Sequence, residues 1–122
     1  MPEKKTILII DDDSEIIDTL QTILTSNGYE ILTAQDGNQG LETAEEMQPH
    51  LVILDMMMPK RSGFLVLEQL RKKDKTKPAV IMITANEGSR HRVYAEMLGV
   101  DAYIRKPFAI DKLTDQVAKL LE

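Results

Sequence analysis

The chain contains no cysteine and no tryptophan, and aromatic residues make up only 4% of it. Without cysteine there is no disulfide, no thiolate metal site and no thiol nucleophile. So few rings leave little for the stacking platforms that hold single-stranded nucleic acid. A basic surplus is also missing, since 15 Lys and Arg stand against 20 Asp and Glu, for a net charge of −5. That balance argues against a general nucleic-acid binder, whose phosphate contacts need clustered cations, so no direct nucleic-acid partner is expected. No apolar run approaches membrane-spanning length, and the N-terminus lacks the long apolar segment of a secretory signal. No membrane partner is expected, and a cytoplasmic location is the default. What is present, 43% hydrophobic and 29% charged residues, suits one globular domain over residues 1–122.

The apolar signal alternates between two kinds. Short runs rich in Val, Ile, Leu and Met predict strands at Thr6–Ile10, Tyr29–Ala34, Leu51–Leu54, Ala79–Ile83 and Ala102–Ile104. Three of these runs are nearly continuous, as expected for parallel strands covered on both faces. Stretches with helical spacing lie between them. Ile16, Ile17, Leu20, Ile23 and Leu24 form one stripe, closed by Asn27-Gly28. Leu41, Ala44 and Met47 form a second, opened by Asp36-Gly37 and followed by Pro49. Phe64, Leu65, Leu67 and Leu70 run into Arg71-Lys72-Lys73, cations at the end of a helix where its dipole favours them. Val93, Tyr94, Met97 and Leu98, ending at Gly99, predict a fourth helix; Ile110, Leu113, Val117, Leu120 and Leu121 predict a fifth.

Five strand–helix units in succession imply an α/β fold, a parallel sheet with helices on both faces. Right-handed crossovers leave few topologies, among them the doubly wound, flavodoxin-like order 2-1-3-4-5. In that order the winding reverses between strands 1 and 3, and ligands bind beyond the carboxyl ends of the strands there. The residues at those two ends are acids: Asp11-Asp12-Asp13 after the first strand and Asp55 after the third.

Converging carboxylates repel one another unless a cation intervenes, and oxygen donors suit a hard divalent ion such as Mg²⁺. Helix capping by Asp13 or Ser14 accounts for one acid but not for Asp55, one strand away. Thr84-Ala85 ends the fourth strand, and Arg105-Lys106-Pro107-Phe108 follows the fifth. Proline holds the preceding residue out of the α region, which restricts where Lys106 can point, and the bond is a candidate for cis. An acidic pair, a single Asp, a Thr and a Lys are the set that phosphoryl transfer onto a carboxylate requires. Asp55 can attack phosphorus, while Lys106 and a metal neutralise the phosphoryl oxygens and Thr84 donates a hydrogen bond.

The chain resembles the receiver domains of two-component response regulators. The likeness rests on ILIIDDD at 7–13, LVILDMMMPKRSG at 51–63, ITAN at 83–86 and GVDAYIRKPF at 99–108, and extends from Lys5 to Leu121. It implies Asp55 as phospho-acceptor, Asp12 as a direct Mg²⁺ ligand and Asp11 as a ligand through water. It further implies the backbone carbonyl of Met57 as a ligand, Lys106 as phosphate partner, and Thr84 with Tyr103 as a switch pair. The implied donor is a phosphohistidine on a sensor histidine kinase or phosphotransfer protein. The implied output is a change in the face of the fourth helix, fifth strand and fifth helix, read by a downstream effector domain or protein. In such receivers Met57 and Asn86 would flank the path of the hydrolytic water. The chain would be a signalling domain, not an enzyme acting on other substrates.

Other conspicuous residues have plainer readings. Met56-Met57-Met58 are expected as gap-fillers rather than soft-metal ligands. His50 and His91 are isolated and expected at the surface, and Arg90, His91 and Arg92 on a solvated face. Arg71, Lys72, Lys73, Lys75 and Lys77 are expected as a soluble helix end and loop. Two rival functions are a haloacid-dehalogenase-like phosphatase and a pseudo-receiver scaffold that is never phosphorylated. The first would need a second Asp two residues after the nucleophile, where this chain has Met57; the intact Asp12, Asp55, Thr84 and Lys106 speak against the second. A flavodoxin-like nucleotide carrier would need a Gly/Ser/Thr-rich phosphate loop where Asp11-Asp12-Asp13 stands. The last helix closes the domain, leaving either a stand-alone receiver or part of a longer regulator or hybrid kinase.

Overall fold

Continuous aliphatic runs become central strands because both of their faces are covered. In a computed structural model that describes residues 4–58, 62–74, 77–85 and 89–122, three such strands are β1 (Thr6–Ile10), β3 (Leu51–Asp55) and β4 (Ala79–Thr84). The less apolar β2 (Glu30–Ala34) and β5 (Ala102–Arg105) take the two edges. All neighbours pair in parallel, in the order β2-β1-β3-β4-β5. The helices between them are α1 (Ser14–Ser26), α2 (Gly37–Met47), α3 (Gly63–Lys73), α4 (Ser89–Leu98) and α5 (Ile110–Leu120).

Successive strand side chains point to opposite faces, and two cores follow. Ile7, Ile9, Leu51, Ile53, Ile81 and Ile83 pack beneath α1 and α5, with Leu20, Leu24, Leu113 and Val117. Leu8, Ile10, Val52, Leu54, Val80 and Met82 pack beneath α2, α3 and α4, with Ala44, Val66, Leu67 and Ala95. Local signals set the helix ends. Asp13 caps α1 by accepting from the Glu15 N–H, Asp36 caps α2 by accepting from Gln39, and Gly28 follows α1 at φ +96.

Several boundaries and faces differ from expectation. β2 begins one residue later, at Glu30, and β3, β4 and β5 each run one residue further, to Asp55, Thr84 and Arg105. The register pairs Asp55 with Ile83 and Thr84 with Arg105, so Asp55 and Thr84 are last rungs of the ladder rather than loop residues. Met47 of α2 and Leu65 of α3 are exposed, and Val66 takes the buried place instead. The apolar stripe of α4 faces outward: Val93, Tyr94 and Met97 are 56%, 45% and 78% exposed, while Ala95 is fully buried.

Arg71 is not part of a solvated run. Its side chain is 8% exposed and donates to the Gly99 carbonyl through Nε, to the Pro78 carbonyl through Nη1 and to Asp101 Oδ2 through Nη2. Nor is His91 a simple surface residue. Its ring stacks on Phe64 at 5.9 Å, and its Nδ1 is buried. His50 is exposed as expected, but its Nδ1 accepts from the Thr6 N–H. Lys75, Asn86 and the segment 59–61 of the second motif lie outside the described residues.

Candidate functional site

Asp11 leaves β1 with its N–H bonded to the Ala34 carbonyl and its carboxylate 1% exposed at the residue level. One oxygen, Oδ1, accepts from the Asp13 N–H at 2.9 Å, which orients the carboxylate across the strand ends. Asp12 beside it is exposed, and Asp13 is committed to capping α1. Asp55 ends β3, 4% exposed, with Oδ1 accepting from the Met57 N–H at 3.3 Å. Gly63, at the start of α3, lies so close to this end of β3 that a Cβ there would collide with the Asp55 carbonyl oxygen and Met56 Cα. The absence of a side chain at Gly63 thus lets α3 pack directly under Asp55.

Lys106 completes the cluster. Its N–H donates to the Thr84 carbonyl at 2.7 Å, and its bond to Pro107 is cis. From there Nζ reaches back over the strand ends, 3.4 Å from Asp11 Oδ2 and 3.7 Å from Asp55 Oδ1. A carboxylate oxygen from each of Asp11, Asp12 and Asp55 lies within 4.8 Å of the other two. Burial, and then the charge of Asp11, push the Asp55 carboxyl up to about 7; Lys106 and the Met57 N–H oppose the shift, and Asp12 adds to it. One ammonium therefore does not fully offset three acids, and a second positive charge is electrostatically favoured. The donors are all oxygen, as a hard divalent cation requires, so the residues present fit Mg²⁺. When bound, such an ion would neutralise carboxylate charge and polarise phosphoryl oxygens.

Thr84 is completely buried at the end of β4. Tyr103 lies half-buried on β5, packed against the core under α3 and α4. Its hydroxyl is hydrogen-bonded with the Thr84 side chain and lies 4.0 Å from Met56 Sδ. Burial pushes the phenol up, against the opposing effects of Thr84, Arg92 and Arg105. Met56 is fully buried, as a gap-filler should be, whereas the Met57 side chain is 61% exposed. The structure thus brings Asp11, Asp12, Asp55 and Lys106 together, and sets Thr84 and Tyr103 side by side. Sequence reasoning missed the tie from Arg71 to Asp101. The available signal was the position of Arg71 four residues after the buried Leu67, on the inward face of α3.

A family model for the response regulator receiver domain matches residues 7–118, and the chain belongs to that family. It is therefore a signalling domain of the two-component class. It is 38% identical over 117 residues to the alkaline phosphatase synthesis transcriptional regulatory protein PhoP of Bacillus subtilis, covering 96% of this chain and 48% of that one. It is also 38% identical to the DNA-binding dual master transcriptional regulator RpaA of Synechocystis, covering 94% and 48%. The chain thus spans about half the length of the curated relatives it matches. Among solved structures, a CheY-like receiver domain protein from Methanospirillum hungatei superposes with a TM-score of 0.91 at 33% identity, covering 97% and 94% of the two chains. A CheY from Borrelia burgdorferi, in a complex with CheX, BeF3 and Mg, superposes at 0.90 with 29% identity, covering 97% and 90%. These similarities give no support to the phosphatase or the pseudo-receiver.

Proposed function

We propose that the whole chain, residues 1–122, is a cytoplasmic phosphorelay receiver whose acceptor is Asp55. The observation that carries this reading is the buried Asp55 carboxylate facing Lys106 Nζ at 3.7 Å beside Asp11 and Asp12. An Asp55 oxygen attacks phosphorus of a phosphohistidine on a sensor histidine kinase or phosphotransfer protein. The new O–P bond forms as the P–N bond breaks, and its electron pair returns to the imidazole. Lys106 moves from pairing with the carboxylates to pairing with the transferred group, and Thr84 donates its hydroxyl to it. Mg²⁺ would be held by Asp12, Asp55 and the Met57 carbonyl directly and by Asp11 through water. Drawing Thr84 toward the phosphoryl group alters its bond with Tyr103, and through Tyr103 the face of α4, β5 and α5 that a downstream effector domain or protein reads. Tyr103, half-buried against the core with its hydroxyl beside Thr84, supports the pairing.

The test is incubation with acetyl phosphate and Mg²⁺ followed by intact-mass measurement. One phosphoryl group should be gained, and none by Asp55→Asn or after chelation of the metal. Undiminished phosphorylation of Asp55→Asn would remove Asp55 as the acceptor.

The residue two beyond the acceptor sets a second expectation. Met57 can neither orient a water nor accept its proton, and its apolar side chain lies open to solvent beside the acceptor strand. The phosphorylated state should therefore be comparatively long-lived. Measured with Mg²⁺ present, phospho-Asp55 should decay several-fold faster in Met57→Asn than in the native protein; equal or slower decay contradicts this expectation.

A further inference from the structure

α4 is fastened unequally along its length. Among its described side chains Ala95 alone is fully buried, and Val93, Tyr94 and Met97 bury little against the body. The N-terminal half touches the body through rings, with His91 stacked on Phe64 and Tyr94 edge-on to the same ring. Such contacts have no single required register, and a helix with so little apolar burial opens or tilts readily.

The C-terminal end is different. Gly99, directly after α4, has φ +96, and a Cβ there would lie 3.2 Å from Arg71 Nε and 3.3 Å from Arg71 Cδ. Only glycine admits that approach together with that backbone conformation. The Arg71 guanidinium then donates to three acceptors: the Gly99 carbonyl, the Pro78 carbonyl and Asp101 Oδ2. Asp101 Oδ2 also accepts from the Val80 N–H, and the Asp101 N–H donates to the Val80 carbonyl. A buried guanidinium fork with a hydrogen bond from each of its three nitrogens is directional and stiff, unlike the ring contacts at the other end.

We infer that Arg71 is the pivot of α4. It locks the turn after α4 to α3 and β4, so a rearrangement at the phosphorylation site tilts the N-terminal half of α4 about Gly99 and does not slide the whole helix. The identity of the driving event rests on the function proposed above; the unequal fastening does not. Arg71 touches no reacting atom and acts as a positioning residue.

Hydrogen exchange of the full chain, followed by NMR, tests the pivot. In the unphosphorylated native protein, amides 97–100 should be about tenfold better protected than amides 93–95. Arg71→Met should abolish that difference while β1 and β3 stay protected, and Arg71→Lys, with one point charge in place of the fork, should fall between. Should Arg71→Met not fold, Arg71→Lys and Asp101→Asn carry the comparison. On phosphorylation, shift changes in the native protein should concentrate in 89–94, and in the variants spread to 96–101 at equal phosphoryl gain by mass. Equal protection along α4 in the native protein, or equal shifts at its two ends, overturns the pivot. So does an Arg71 variant with an unaltered pattern, or one whose protection falls uniformly through the sheet. Absence of any phosphoryl gain would count against the proposed function instead, and the exchange data would still decide the pivot.

Discussion

Lys106→Met is expected to slow phosphorylation of Asp55 by acetyl phosphate about a hundredfold at saturating Mg²⁺, the usual cost of removing one preorganised charge from a group-transfer site. Lys106 is poised between Asp11 and Asp55, at 3.4 and 3.7 Å, on a backbone pinned by its bond to the Thr84 carbonyl. It therefore needs little reorganisation to meet charge that develops on the phosphoryl oxygens. Methionine keeps much of the stem's volume and removes only the charge, so packing against Pro107 should survive. Lys106 also lowers the Asp55 pKa, and its loss leaves more of the acceptor protonated at neutral pH. Part of the lost rate should then return as pH rises from 7 to 9, more than in the native protein. Rates followed by quenched intact mass across that range check both parts. A variant within twofold of native at every pH would show that Lys106 contributes nothing to the transfer.

The sheet was legible because its strands carry their environment in their composition. Thr6–Ile10 and Leu51–Asp55 have no polar face, which leaves them no place except the centre of a covered parallel sheet. Once the winding reversal is placed between β1 and β3, Asp11, Asp12 and Asp55 must meet, and they do. Lys106 was legible for a similar reason, as a cation fixed before proline at a strand end. The outward face of α4 was not legible, because periodicity detects a stripe but not the direction it faces. Val93, Tyr94 and Met97 repeat as a core stripe would, yet the small Ala95 is what the sheet admits beneath α4. Arg71 was misread because a run of cations looks alike whether or not one of them turns inward. Its partners are two carbonyls and Asp101, the farthest of them 30 residues away, and backbone acceptors leave no signature in side-chain chemistry. The pairing of Thr84 with Tyr103 was expected from the family resemblance alone; the register of β4 on β5, with Met82 opposite Tyr103 and Thr84 opposite Arg105, was not specified by the sequence.

Asp55→Asn should make the metal-free protein more stable at pH 8, on the order of 2–4 kcal/mol if most of the pKa shift is realised. Asp55 ionises near 3.8 when unfolded and near 7 when folded, because burial and Asp11 disfavour its charge. Between those values the folded state binds the extra proton, so native stability falls as pH rises and the full penalty stands above about 7. Asparagine carries no charge at any pH and keeps an oxygen that can accept from the Met57 N–H. The gain should therefore appear as a rise in Tm of about 5–15 °C at pH 8 in chelator, shrink through pH 6, and vanish near pH 4. Saturating Mg²⁺ should reverse the order, because an ion bound only by the folded native site stabilises it by mass action and Asp55→Asn removes one of its ligands. Differential scanning calorimetry over pH 4–8, with and without the ion, gives all of these comparisons. A gain independent of pH would place its origin in packing. No gain at pH 8 would mean that Lys106 already compensates Asp55, and that the acceptor carboxylate rests ionised in the free protein.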